Sequence, residues 1–345
     1  MSLAGPRLLA LLAATVLLAA CSRAPPEVVL TGPAMGTTWT LRVVPGEAEA
    51  DPQALRRLVQ ETLDEVDTAM STYRPDSAVS QFNASGSTDW IEVPPSLADL
   101  AGLALRIGER TGGAFDITIS PLIALWGFGN ATPRTQPPTD REVATAQAAT
   151  GQRHLVVRSD PPALRKSLPG LTLDLDSIAP GYAVDRVAER LEAAGQRRYM
   201  IEIGGELRVL GHNAQGKRWR IGIERPEATG RSVDRIVQVE RAAVSTSGDY
   251  RDFFESAGIR YSHTIDPRSG RPVSHGLASV TVLRPTAAEA DGIATALTVL
   301  GPAEGFELAE RMGWAALFVE RTPEGLRHRE TGAFLQAAET GESGS

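Results

Sequence analysis

The chain has 345 residues, 42% of them apolar, enough to bury one large core or two that pack together. Its 35 basic and 42 acidic side chains leave a formal charge of −7, which excludes a general nucleic-acid surface. Aromatics are only 5% of residues, too sparse for a stacking platform, and the 33 Gly and 23 Pro are dispersed as in a turn-rich globular fold.

In chain order, Arg7 precedes the apolar run LLALLAATVLLAA at 8–20, which is too short for a comfortable membrane span. The run ends in Leu18-Ala19-Ala20-Cys21 and resembles the lipobox of a bacterial lipoprotein. An ordinary signal peptide with an incidental cysteine is the alternative. The lipobox implies cleavage before Cys21, a lipid anchor on that residue, and a mature chain at the membrane facing the periplasm. Ser22 rather than Asp follows, which points to the outer membrane. Cys21 is the only cysteine, so no disulfide or thiolate metal cage can form within the chain. We divide the chain into a signal peptide (1–20), a tether (21–30), a body (31–331) and a frayed, flexible tail (332–345).

Within the body, residues 52–72 place Leu55, Leu58, Val59, Thr62, Leu63, Val66 and Met70 on one helical face. Helices are also expected at 96–111, at 139–150 with a capping box from Thr139 to Glu142, and at 182–194 ending at Gly195. From Arg198 the pattern turns to short strands, at 199–203, 206–210, 219–224, 236–240, 261–265 and 278–283. A helix at 286–300, opening with a second capping box from Thr286 to Glu289, and a strand at 315–320 follow. The expected class is α+β, with mixed or antiparallel sheets and packed helices.

Four stretches carry candidate chemistry. In the 286–300 helix, Asp291 and Thr295 are four apart and share a face, while Ile293, Ala294, Leu297 and Leu300 face a core. Gly292 costs about 1 kcal/mol against Ala there, which suggests that something large approaches the backbone. An Asp and a Thr oxygen suit a hard cation such as Mg²⁺; a solvated Asp beside a Thr bonded back to a carbonyl is the plain alternative. In LDLDSIAPGYAVD (173–185), Leu173 and Leu175 alternate with Asp174 and Asp176 as a strand entering a helix near Gly181. Such turns gather phosphate or metal, or the Asp is merely a helix cap. GGAFDITISPL (112–122) lets a ligand pack on the backbone beside Phe115 and Asp116, and Met35-Gly36 precedes an alternating strand. The segment YSHTIDPRSGRP (261–272) sets His263 and Asp266 at the mouth of a turn.

Taken in order, MGTTW, MSTYRPDSAVSQFN, GGAFDIT, LDLDSIAPGYAVD, IEIGGEL, AVSTSGDYRDFF, YSHTIDPRSGRP and ADGIATAL resemble the successive motifs of the ApbE family, the FAD:protein FMN transferases. The resemblance spans about residues 30–320. It implies an ApbE-like α+β fold, FAD as substrate, Mg²⁺, and transfer of FMN to a Thr or Ser hydroxyl of an exported redox protein, with AMP leaving. It further implies that Met35 and Tyr73 bracket the flavin, that Phe115, Asp116 and Ile117 line it, and that Asp174 and Ile265 contact FAD. Asp291 and Thr295 would ligate the metal with a main-chain carbonyl at Ser177 or Ala179. Pro180 stands where relatives often carry Lys or Glu, so only a backbone contact to FAD is expected there. His263 is the best candidate for the base that deprotonates the acceptor, since a neutral imidazole suits that task near neutral pH. Asp266 either holds His263 or simply forms an Asx turn, Arg268 either binds a phosphate or faces water, and His275 competes with His263. An FAD pyrophosphatase and a non-catalytic flavin binder are the rival functions.

Overall fold

A computed structural model describes residues 27–129, 131–227, 232–248, 253–256 and 258–341. The signal peptide, Cys21 and most of the tether lie outside these residues. The described body starts at the first strand, Val28–Ala34, rather than at residue 31.

Eight strands form one antiparallel sheet in simple chain order: β1 (Val28–Ala34), β2 (Thr37–Val43), β3 (Tyr199–Ile203), β4 (Glu206–Leu210), β5 (Arg241–Gly248), β6 (Leu277–Arg284), β7 (Ala315–Thr322) and β8 (Gly325–Glu330). Each connection between neighbours is either a tight hairpin or an insertion. The longest insertion joins β2 to β3. It holds helices α1 (Pro52–Met70), α2 (Ala78–Ala84), α3 (Pro95–Arg110), α4 (Ser120–Leu125), α5 (Asp140–Ala148) and α6 (Ala179–Ala193), with a three-stranded sheet between α5 and α6 completed by Ile91–Glu92. Helix α7 (Ala287–Met312) joins β6 to β7, and α8 (Gly332–Thr340) follows β8.

Side-chain alternation along the strands sorts two cores. Trp39, Leu41, Ile201, Val280 and Phe318 pack under α1, α3, α6 and α7. Val209, Val244, Leu317 and Val319 face the other way, under the hairpin Trp219–Glu224/Val233–Val239 and α8. The fold is therefore α+β in three layers, and its large sheet is purely antiparallel.

The tail departs from the sequence expectation: residues 332–340 are helix, not a frayed end. Thr331 caps α8 by accepting from the Phe334 N–H, and Phe334 is fully buried against the second core. That contact stabilises a helix too short to persist alone. The strand expected at 261–265 is also interrupted. Pairing covers Ile259–Ser262, and a two-residue bridge resumes at Ile265–Asp266. Between them the Ser262 hydroxyl accepts the Thr264 N–H at 3.1 Å, a local bond that competes with the ladder and releases His263 from it. Strand β5 has no counterpart among the expected strands. Its run AVSTSG is polar and small, yet Ser245 is buried.

Candidate active site

The alternating stretch at 171–175, expected as a strand, belongs to no sheet, so side chains satisfy its backbone instead. Lys166, itself fully buried, donates to the carbonyls of Leu171 (2.9 Å) and Phe82 (3.0 Å). Asn83 exchanges two bonds with Leu173, at 2.7 and 2.9 Å, and the Asp174 N–H reaches the Ile117 carbonyl at 2.7 Å. With Leu171, Leu173 and Leu175 pinned into the core, Asp174 and Asp176 line the opposite side, a cleft. Helix α6 begins directly afterwards at Ala179, earlier than expected, with Pro180 in its first turn.

Helix α6 crosses α7 at a glycine contact. A Cβ on Gly181 would lie 2.5 Å from the Ala287 carbonyl oxygen, so only glycine permits this approach. Gly292 has a similar cause, and the close approach expected at its backbone is made by a side chain of the protein itself. Its added Cβ would fall 2.7 Å from Ile107 Cδ1 of α3, so the large neighbour is core packing. At the crossing, Asp291 Oδ2 accepts the Gly181 N–H at 3.1 Å. The capping box expected from Thr286 to Glu289 does not form, because Glu289 pairs with Arg284 at 3.3 Å. Asp185 of α6 takes the place of the Thr286 side chain, accepting the N–H groups of Ala287 and Ala288 at 2.9 Å each.

The cleft, about 920 Å³, gathers Phe115, Asp116, Asp174, Ser177, Pro180, His263, Ile265, Asp291 and Thr295 from segments far apart in sequence. Other expected residues lie elsewhere. Ile117 is buried in the core and contributes its carbonyl to Asp174, while Ala179 is buried at the start of α6. Met35 packs against the core at the β1–β2 turn with φ 45°, the only non-glycine residue at positive φ among those described. Tyr73 is 65% exposed, and the Asp176 charge raises its hydroxyl pKa, which places the ring by Asp176 outside the cleft lining.

Two roles left open are decided by hydrogen bonds. Asp266 accepts the backbone N–H and the guanidinium of Arg268, which also reaches Glu304 at 3.0 Å, so this pair builds the turn. His275 does not line the cleft; its ring packs against Gly301, at the bend in α7, and both its nitrogens are buried without a hydrogen-bond partner among the described residues. His263 does line it, edge-on to Phe128 at 6.4 Å between ring centroids.

Further lining residues were not among the expected site residues: Asp176, noted only in the 173–176 alternation, and Glu206, Thr246, Phe128, Arg134 and Phe254. Glu206 follows the Gly204-Gly205 turn, where both glycines have positive φ, and that turn was its only marker.

Electrostatics distinguishes this cleft. Among the described residues, five carboxylates line it (Asp116, Asp174, Asp176, Glu206 and Asp291) against one guanidinium, Arg134. Asp116 is committed to structure, accepting from the Thr118 N–H, the Thr118 hydroxyl and the Gln152 N–H. Burial, followed by the nearby Glu206 charge, raises Asp291 well above the carboxylate range. Burial likewise raises Asp174. Asp176 is pushed up to about 7 by desolvation and by Asp174, although its own side chain reaches solvent, which softens the effect. Glu206 rises to about 7, chiefly through burial and also through Glu202. The site therefore disfavours its own charged form. Among the described residues no three Asp, Glu, His or Cys side chains converge as a metal-ligand set. A cation here would draw on Asp291 with hydroxyl and carbonyl oxygens, a donor set suited to Mg²⁺.

A carboxyl whose pKa is raised by folding stabilises the protein below its unfolded value, and that contribution is lost as pH rises through the folded value. For Glu206 the loss runs from about 4.5 to about 7. In chelator, Glu206→Gln is therefore expected to be more stable than the parent at pH 8, by about 1–2 kcal/mol after screening, with the gap closing at pH 4. Thermal melts across that range check it; a gap constant with pH contradicts the assignment.

The ApbE family model matches residues 35–318. The chain is 41% identical over 323 residues to a Vibrio cholerae protein named FAD:protein FMN transferase, covering 94% of this chain and 96% of that protein. A Salmonella typhimurium protein of the same name is 42% identical over 328 residues, covering 92% and 93%. Among solved structures, the flavin transferase ApbE from Vibrio cholerae superposes with a TM-score of 0.83 at 40% identity, covering 90% of this chain and 99% of that one. The apo flavinyl transferase ApbE from Pseudomonas stutzeri gives 0.82 at 41% identity, covering 90% and 96%. Similarity of this extent, over a cleft built from the family's motifs, makes the chain a member of the ApbE family.

Proposed function

We propose that this protein is an enzyme that transfers FMN from FAD to a Thr or Ser hydroxyl of an exported protein, in a Mg²⁺-dependent reaction that releases AMP. The observation that carries this reading is the charge of the cleft. A pyrophosphate here would face five carboxyl groups whose ionisation burial opposes, and a cation between them would favour their charged form and tighten the hold on the dinucleotide. Asp291 and Thr295 on one face of α7, with Ser177 or the Ala179 carbonyl at the start of α6, are the groups that would hold it. Bound there, Mg²⁺ would neutralise charge developing on the departing phosphate. Phe115, Ile265 and Phe128 supply apolar surface for the flavin. His263 takes the acceptor's proton, the acceptor oxygen bonds to the FMN-side phosphorus, and the bridging P–O bond breaks toward AMP.

The test is incubation with FAD, Mg²⁺ and a flavin-acceptor protein, read by in-gel flavin fluorescence and AMP release. Fluorescent acceptor and AMP in equal amounts are expected. Free FMN and AMP without labelled acceptor would make the protein a pyrophosphatase instead, and no turnover would leave a flavin binder.

The lipobox-like Leu18-Ala19-Ala20-Cys21 supports placement on the periplasmic face of a bacterial membrane, where exported acceptors are found. Cys21→Ser is expected to release the protein from membrane to soluble fractions, because acyl chains contribute about 0.8 kcal/mol per buried CH₂. Unchanged partitioning in fractionated cells would remove the anchor.

A further inference from the structure

Helices α6 and α7 cap each other. Asp185, in the second turn of α6, accepts the first two N–H groups of α7 at 2.9 Å each, and Asp291, in the second turn of α7, accepts the Gly181 N–H of α6 at 3.1 Å. Each carboxylate lies at the positive end of the other helix, where its charge is favoured. The glycine contact at Gly181 presses the two backbones together between these bonds, and each bond fixes one end of the crossing. Only one of the two carboxylates lines the cleft: Asp291 does, and Asp185 does not.

Asp185 is as deeply buried as Asp291, at 5% against 7% exposure, and is further engaged by Arg208 at 2.9 Å. Arg208 in turn reaches Glu192, and Glu192 accepts the Tyr199 hydroxyl at 2.7 Å. This chain of bonds ties Asp185 to β3 and β4 of the large sheet, and through Ala287 and Ala288 it extends to the first turn of α7. Asp291 and Thr295 stand in the next turns of that same helix.

From this geometry we propose that Asp185 is a positioning residue for the cation site: it sets the rotation and depth of α7 against α6, and thereby the spacing of Asp291 and Thr295 from the oxygens at the start of α6. The proposal rests on the Mg²⁺ reading of the cleft. A ligand displaced by a fraction of an ångström meets the strict distances of Mg²⁺ poorly, so removal of a supporting group is felt in metal affinity before it is felt in the fold.

The experiment is calorimetric titration of Mg²⁺ into the metal-stripped full chain and its variants. It is paired with thermal melts, FAD binding in chelator, and hydrogen exchange at the amides of Gly181, Ala287 and Ala288. Asp185→Ala should weaken Mg²⁺ binding by about 10–100-fold, and Asp185→Asn, which keeps one acceptor oxygen, by less. Exchange at the Ala287 and Ala288 amides should quicken in both, while FAD affinity without metal stays within about twofold of the parent. Arg208→Gln, which leaves the capping carboxylate in place, should bind Mg²⁺ far better than Asp185→Ala. Phe334→Ala, destabilised from the opposite face of the sheet, should keep the parental metal affinity. Should Asp185→Ala not fold, Asp185→Asn decides. A folded Asp185 variant with parental Mg²⁺ affinity overturns the proposal, as does an equal loss of affinity in Phe334→Ala. If the parent itself takes up no Mg²⁺, the metal reading of the cleft fails first and takes the proposal with it.

Discussion

Asp291→Ala is expected to lower FMN transfer by about three orders of magnitude, because a bound cation supplies several kcal/mol of charge stabilisation in phosphoryl transfer. It should do so without unfolding the protein. In the metal-free chain Asp291 is a buried carboxylate whose ionisation is opposed by desolvation and by Glu206, so its loss removes a cost along with one helix-cap bond. The parent should therefore melt at higher temperature when Mg²⁺ is added, and the variant should not respond. The two readings are independent: differential scanning with and without Mg²⁺ reports the ligand, and acceptor fluorescence reports the chemistry. A variant that keeps its Mg²⁺-induced shift moves the cation elsewhere in the cleft. One that loses the shift but transfers FMN normally removes the metal from the reaction.

His263→Ala is expected to bind FAD as the parent does and to transfer FMN about 10²–10⁴-fold more slowly, the usual contribution of a general base. The structure narrows this test. Asp266, which could have oriented His263, is committed to Arg268, and His275 packs under the α7 bend away from the cleft. Two other groups in the cleft could take a proton near neutral pH, Asp176 and Glu206, both raised to about 7. Glu206→Gln separates the roles. If His263 is the base, the rise of rate with pH survives in Glu206→Gln and disappears in His263→Ala, because only a neutral ring accepts a proton. Single-turnover flavinylation at saturating FAD, timed from pH 5.5 to 8.5, checks it. A His263→Ala variant with weak FAD binding and a parental rate at saturation would show that the ring only shapes the pocket beside Phe128.

Much of this site was legible before the fold was known, because its strongest signals are local. Asp291 and Thr295 share a helix face by spacing alone, and the Pro267–Gly270 turn placed His263 at a strand end. Local signals misled where tertiary contacts compete with them. Gly292 announced a close approach to its backbone without saying by what, and the neighbour is Ile107. Thr286 looked like a cap, but the capping oxygens belong to Asp185, which is distant in sequence. The tail looked frayed because nothing within residues 332–345 stabilises a short helix; the stabilisation comes from the sheet face that Phe334 fills.

By itself the sequence determined the periodic elements, the turn chemistry, and the residue types able to hold a cation or move a proton, since these depend on spacings of a few residues. The tertiary structure alone decided which of those residues meet. The sheet runs in chain order, so Glu206 and Thr246 on the neighbouring strands β4 and β5 meet His263 and Asp291, which arrive from two separate insertions. It also decided their charge. Burial and mutual repulsion raise the carboxylate pKa values only once the cleft exists, because in the extended chain each group is solvated by water and screened from the others.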